Sequence, residues 1–236
     1  MASADPNDPN DPNDSYVPPK TPLLKPIDDE SEPLSPDTEE HVAEQTDEVF
    51  RNFVFQMHTH EQEEEEEEGA GLVTPSMPEL TAFPGDSVGP TWQVGRQLAL
   101  IGDDLNDRYA PQFGQMIKML NITPDTAYEA FAGVARKLFR DGNINWGRII
   151  TLLCFGYRMA KTVLQRGIRG FFHKVVTYVC RFIHFENIAK WIAEQGGWRA
   201  VLRYVPESVG WPTIGLILSF AALTVATAFF LSRKPS

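Results

Sequence analysis

VGRQLALIGDDLNDRY, residues 94–109, combines large aliphatics at helical spacing with an unusual Ile-Gly-Asp-Asp step. Val94, Leu98, Ile101 and Leu105 follow one another at steps of four, three and four residues, which places all four side chains on one stripe of an α-helix. A glycine inside such a helix costs about 1 kcal/mol relative to alanine, so Gly102 asks for a reason. A close backbone approach to a partner helix supplies one, and Asp103 beside it is then placed to reach a cation at the edge of a groove. Two readings fit the pattern at this level. One is a helix that can leave one groove and enter another; the other is an ordinary amphipathic core helix with a tolerated glycine.

Working outward, the flanking sequence reads as further helices with short joints and no period-two strand pattern. Ser35-Pro36 resembles a helix cap with proline at the first helical position, and Asp37, Glu39 and Glu40 suit the positive end of the helix that follows. Val42, Thr46, Val49, Phe50, Phe53, Val54 and Met57 give that helix one apolar face. After the glycine-bearing helix comes a short one around Phe113, Met116, Ile117 and Leu120, and then one started by Thr123-Pro124. From Asn145 to Leu164 apolar residues crowd nearly every face, which marks a buried central helix. A turn near Gly167 leads into a partner helix through Ile183, completing a hairpin, and short helices around 188–193 and 198–202 follow, parted by Gly196-Gly197. The expected fold is all-α, a globular helical bundle around a central hydrophobic hairpin.

Charge is segregated along the chain. Residues 1–70 hold 21 of the 32 Asp and Glu but only three of the 21 Lys and Arg, so the overall net charge of −11 hides a basic body behind an acidic front. The array DPNDPNDPND and the proline-rich stretch after it have no periodic apolar face, so residues 1–35 are expected to be a disordered acidic tail. A mobile acidic linker is expected at about 58–90, where six consecutive glutamates (63–68) stay solvated. The helical domain spans 36–206. WPTIGLILSFAALTVATAFFL, residues 211–231, carries no charge over 21 residues and would span ~31 Å as a helix, about one hydrocarbon core. With Arg233 and Lys234 behind it, the expected topology is a transmembrane tail anchor over 209–232 with the bulk of the chain cytosolic.

Residues 142–185 contain no Asp or Glu but do contain Arg148, Arg158, Lys161, Arg166, Arg169, Lys174 and Arg181. Such a cationic, aromatic-rich hairpin suits an anionic bilayer surface better than nucleic acid, because long apolar helices do not read grooves; a merely solvated basic face is the plainer reading. Arg158, Lys161, Arg166, Arg169 and Lys174 are the candidate membrane-interface residues. Cys154 and Cys180 lie in apolar stretches without CxxC spacing and read as buried thiols. No P-loop, nucleophile elbow or HExxH helix is present, and the five histidines supply no convincing metal set, so neither enzyme chemistry nor a cofactor is expected.

Three motifs in one order, with the anchor behind them, resemble the B-cell lymphoma 2 (Bcl-2) family of apoptosis regulators, and within it the pore-forming members. The 94–109 helix resembles the family's third homology motif (BH3), with Leu98, Gly102 and Asp103 at its signature positions. LFRDGNINWGRIITLLCFGYRMA (138–160) is similar to the first motif, whose core is Asn145-Trp146-Gly147-Arg148, and IAKWIAEQGGWRAVL (188–202) is similar to the second. The Asp-Pro-Asn array and the glutamate run have no counterpart in that pattern.

The resemblance implies a dormant bundle in which Val94, Leu98, Ile101 and Leu105 point inward. Activation by a BH3-type helix would expose this chain's own motif, which would dock in a second molecule's groove at Asn145, Gly147 and Arg148, with Asp103 and Arg148 pairing between molecules. The implied outcome is homodimers and higher oligomers, permeabilisation of the mitochondrial outer membrane and release of cytochrome c. Implied partners are the chain itself, BH3-containing activators, anti-apoptotic members and mitochondrial lipids, with no nucleic acid. An anti-apoptotic member that sequesters BH3 helices without forming pores is the alternative, and the endoplasmic reticulum is a second membrane that accepts such a tail.

Overall fold

The computed structural model describes residues 34–67, 77–81 and 89–206, and every element in them is helical. They are α1 (Glu39–Glu67), α2 (Pro78–Thr81), α3 (Pro90–Leu120), α4 (Ala127–Leu138), α5 (Trp146–Gln165), α6 (Phe171–Phe185), α7 (Ile188–Glu194) and a closing 3-10 turn (Trp198–Arg203). Residues 1–33 of the expected tail, residues 68–76 and 82–88 of the expected linker and the expected anchor at 209–232 lie outside the described residues. Among the described residues no helix is long and apolar enough to cross a membrane.

α5 is the axis of the bundle. Ile149, Ile150, Leu152, Leu153, Cys154, Phe155, Tyr157, Met159, Ala160 and Val163 are all fully buried, which is what apolar residues on every face of one helix require. Asn145 starts it: its side chain accepts from the Arg148 amide at 3.0 Å, satisfying one of the free donors of the first turn. Gly167 and Gly170, both at positive φ, turn the chain into α6, and Phe171, Val175, Val176, Val179 and Ile183 close the hairpin's inner face. α4 joins through Phe131, stacked on Phe155 with ring centroids 6.0 Å apart. α1 lies across α3, α6 and α7.

Four boundaries differ from the sequence reading. α1 starts at Glu39, because Thr38 provides the cap: its hydroxyl accepts from the His41 amide at 3.2 Å, and Asp37 accepts from the Thr38 amide. α1 also continues to Glu67, so the first ten residues expected to be linker are helical; His58 is buried there, and contacts with α3 and α5 hold the last turns. The 94–109 helix and the short helix after it are one element with a kink. Tyr109 takes φ −119° and ψ 19° two residues before Pro111, whose ring and missing N–H prevent a regular turn at that point. α4 begins at Ala127 rather than at Thr123-Pro124, since Thr123 to Thr126 form a hydrogen-bonded turn first.

Candidate protein-interaction site

α1 and α3 form a parallel seam. Thr91 donates to Glu48 at 2.7 Å and His60 Nδ1 lies 2.6 Å from Asp103 Oδ2, and in both contacts the partners are 43 residues apart. An unchanged offset across about three turns means that the helices run side by side without slipping. Gly95 and Gly102, two turns apart on one face, allow the approach. A Cβ at Gly95 would lie 2.5 Å from Asn52 Cβ and 3.0 Å from the backbone of Asn52 and Phe53. A Cβ at Gly102 would meet Phe53 Cε2 at 3.0 Å, Met57 Sδ at 3.1 Å and Cys154 Sγ at 3.2 Å. The expected close approach at Gly102 is therefore made within the chain, to α1 and α5 together.

Gly95→Ala is expected to loosen this seam. Overpacking against backbone costs about 1–3 kcal/mol, while the gain in helix propensity is about 1 kcal/mol, so the net change is a loss. Denaturation of the full chain in detergent micelles reads it as a lowered midpoint. An unchanged or raised midpoint would show that the two backbones separate freely.

The stripe itself is closed inward: Val94, Leu98, Ile101 and Leu105 are each at most 1 % exposed. Its surroundings are not uniformly apolar. Asn52 is fully buried on α1 against Gly95, and neither its amide nitrogen nor its oxygen finds a partner among the described residues. Each such orphaned group costs about 1–3 kcal/mol, so the seam is less stable than its apolar burial alone would make it.

Asp103 and Arg148 hold different partners in this bundle. Asp103, about a quarter exposed, pairs with His60 of α1, and burial, the largest cause, pushes its carboxyl above the usual range in spite of that bond. Arg148, the third residue of α5, is 7 % exposed at its side chain and makes a two-pronged contact to Asp141 in the α4–α5 loop; Nη2 to Asp141 Oδ2 is 2.7 Å. It also donates to the Asn143 carbonyl at 2.8 Å. The guanidinium, with help from the Asn143 amide, holds the Asp141 carboxyl far below its ordinary value. Gly147 is buried beside it, and its carbonyl accepts from Thr151.

The five hairpin cations expected at a lipid surface do not form one solvent-facing surface here. Lys161 donates to Glu61 at 2.5 Å, Arg158 donates to Asn106 at 3.0 Å and lies over the Phe113 ring, and Arg166 donates to the Ile122 carbonyl at 2.6 Å. Arg166, for all that bond, is exposed, as are Arg169 and Lys174. Helical wheel reasoning on α5 alone misses this, because the acceptors come from α1, α3 and the α3–α4 turn. Cys154 is buried and donates to the Gly102 carbonyl at 3.8 Å; Cys180 is half-buried, with its thiol pushed up to about 12 by burial.

The second-motif residues hold the start of α1. Trp198 Nε1 donates to the Val42 carbonyl at 3.2 Å and to Thr46 Oγ1 at 3.3 Å, and its ring lies 6.0 Å from Trp146, which in turn meets Trp191 at 5.4 Å. Gly196 and Gly197, both at positive φ, leave no room for side chains beside Leu34 and Asp37. All three tryptophans pack against one another. Sequence reasoning missed four residues of the seam and the loop: Gly95, His60, Glu61 and Asp141. The seven-residue step from Gly95 to Gly102 was a readable signal, since it marks one helix face; the pairing of His60 with Asp103 was not, since it depends on the register between two helices.

Comparison with known proteins agrees with this architecture. A family model described as apoptosis regulator proteins, Bcl-2 family, matches residues 98–198. The human protein named Bcl-2 homologous antagonist/killer is 46% identical over 172 residues, covering 72% of this chain and 79% of that protein. Among solved structures, chicken BOK superposes with a TM-score of 0.54 at 19% identity, over 72% of this chain and 99% of that one. Trichoplax adhaerens trBcl-2L2 bound to trBak BH3 superposes at 0.53 with 26% identity, over 68% and 96%.

Proposed function

This chain belongs to the Bcl-2 family of apoptosis regulators, and on that premise we propose that it is a pro-apoptotic effector that permeabilises the mitochondrial outer membrane. An activating BH3 helix opens the bundle, the 94–109 helix leaves the seam, and its stripe of Val94, Leu98, Ile101 and Leu105 enters the groove of a second copy. Asp103 then exchanges His60 for Arg148 of the other molecule, and Arg148 exchanges Asp141 for that aspartate. Asn145 and Gly147 keep the groove's edge low enough for the approach at Gly102. Arg169 and Lys174 meet lipid headgroups first, and Arg158, Lys161 and Arg166 follow once their partners on α1, α3 and the α3–α4 turn have moved away. Residues 1–35 serve as a solvated tail, 36–206 as the working domain and 209–232 as the tail anchor that keeps it at the membrane, from which cytochrome c is released.

The observation that carries this reading is the closed state of the motif. Its four apolar anchors are buried, and its charged partners are each held by a residue of the same chain that a groove exchange would replace. The 46% identity to a relative named antagonist/killer favours an effector over a guardian. The test is dye or cytochrome c release from liposomes of mitochondrial lipid composition carrying the full chain, with and without a BH3 peptide. Peptide-dependent release supports the effector. Tight peptide binding without release would make the chain an anti-apoptotic member that sequesters BH3 helices.

A further inference from the structure

The BH3-motif aspartate is held closed by an imidazole, and the groups around that imidazole leave it no substitute. His60 faces Glu63 and Glu64 on its own helix and Asp103 on α3, and Asp107 stands behind them, acting on both Asp103 and Glu64. The cations nearby on α5 are engaged elsewhere: Lys161 is paired with Glu61 at 2.5 Å and lies 4.0 Å from Glu65, and Arg158 is bonded to Asn106. On α3, Arg108 is paired with Asp104 at 3.0 Å. One imidazolium therefore sits among four carboxylates at the point where the motif helix touches α1.

We propose that His60 is a proton-operated latch on the BH3 helix: its imidazolium holds Asp103 and keeps α3 closed on α1, and loss of that proton as pH rises loosens the seam. The sign follows from two shifts. The Asp103 hydrogen bond raises the His60 pKa above 6.5, so the stability it contributes is complete below about 6.5 and is lost as pH rises through the higher folded value. Asp103 is itself raised, chiefly by burial, so its ionised form without a cation also favours opening. Glu64, raised by burial and by Asp107 and Asp103, adds repulsion in the same direction.

The acid side has its own limit two residues away, on another face of α1. His58 is 1 % exposed, its Nε2 has no partner among the described residues, and its Nδ1 lies 3.5 Å from the Tyr157 hydroxyl, which donates to Glu61. Burial and then Lys161 lower its pKa, so its contribution is present above about 6.5 and is lost as pH falls through the lower folded value. The seam is tightest between the two histidine transitions. His60 acts on the motif helix directly and His58 on the α1–α5 contact, so the two limbs separate by mutation.

This latch rests on the effector reading for its consequence but not for its measurement. Hydrogen–deuterium exchange of the full chain in lipid nanodiscs, corrected for the intrinsic pH dependence of exchange, reports the opening of α1 and α3 directly. In the wild type the opening constant should rise between about pH 6.5 and about 8, by about tenfold for each unit by which the folded His60 pKa exceeds the unfolded one. His60→Gln keeps a hydrogen-bonding side chain without the proton and should be flat across that range, at the wild type's high-pH level. His60→Lys, charged throughout, should stay closed. A His60→Gln profile that rises like the wild type would overturn the latch. Peptide-triggered liposome leakage is measured in parallel; if exchange follows the predicted pattern and no variant leaks, the latch stands and the effector reading falls.

Discussion

Trp198→Ala lowers the free energy of unfolding by about 3–5 kcal/mol, the range expected when a buried aromatic is truncated to a methyl group. The indole is 1 % exposed, so the substitution leaves a cavity between α1 and the Trp146 ring rather than a surface notch. It also removes the donor to the Val42 carbonyl and Thr46 hydroxyl, which hold the beginning of α1 to the far end of the chain. Trp198→Phe keeps most of the volume and loses the donor, and should cost a smaller part of the total. Chemical denaturation of the full chain in micelles, followed by circular dichroism, measures both. A loss below about 1 kcal/mol for the alanine variant would place the 3-10 turn outside the cooperative core. Because α1 also covers the BH3 stripe, the alanine variant should leak liposomes at lower peptide concentration.

Charge exchange between molecules gives the second large effect. Asp103→Arg and Arg148→Glu, each alone, should abolish peptide-triggered leakage, because a desolvated charge pair that loses one partner commonly costs about 2–5 kcal/mol. An equal mixture of the two variants should recover it. In a mixed dimer one contact pairs the introduced arginine with the introduced glutamate, and the other pairs the native aspartate with the native arginine. Recovery in the mixture requires the contact to be intermolecular, since no single molecule in it carries a matched pair. Arg148→Glu also sets two carboxylates side by side at Asp141, so its fold is checked by circular dichroism, and Asp141→Asn in the same chain relieves that repulsion. If the mixture stays silent while both variants are folded and bind peptide, the Asp103 to Arg148 pairing is wrong.

Much of the bundle was legible because its signals are local. The all-round apolar run of 145–164 reads as a buried helix, and it is one in α5. The stripe of 94–109 was legible for the same reason, since 3.6-residue periodicity is a property of one helix. The errors are errors of context. The glutamate-rich stretch was read as linker from its composition, yet α1 runs on to Glu67, because His58, His60 and Glu61 find α3 and α5 to bind. The partners that Arg158, Lys161 and Arg166 hold in the closed bundle were not legible either, because those acceptors lie far away in sequence.

The helical class, the buried central hairpin, the apolar stripe and the three motifs follow from the sequence alone, since each depends on spacing within one segment and on side-chain chemistry. Only the tertiary structure decided which partners the charged residues hold. That Asp103 meets His60, that Arg148 meets Asp141, and that Gly95 as well as Gly102 carries the approach to α1 are consequences of how two helices are set side by side. A shift of one residue between α1 and α3 would turn His60 by about 100° around its helix and leave Asp103 without a cation, while every local pattern in the sequence stayed the same.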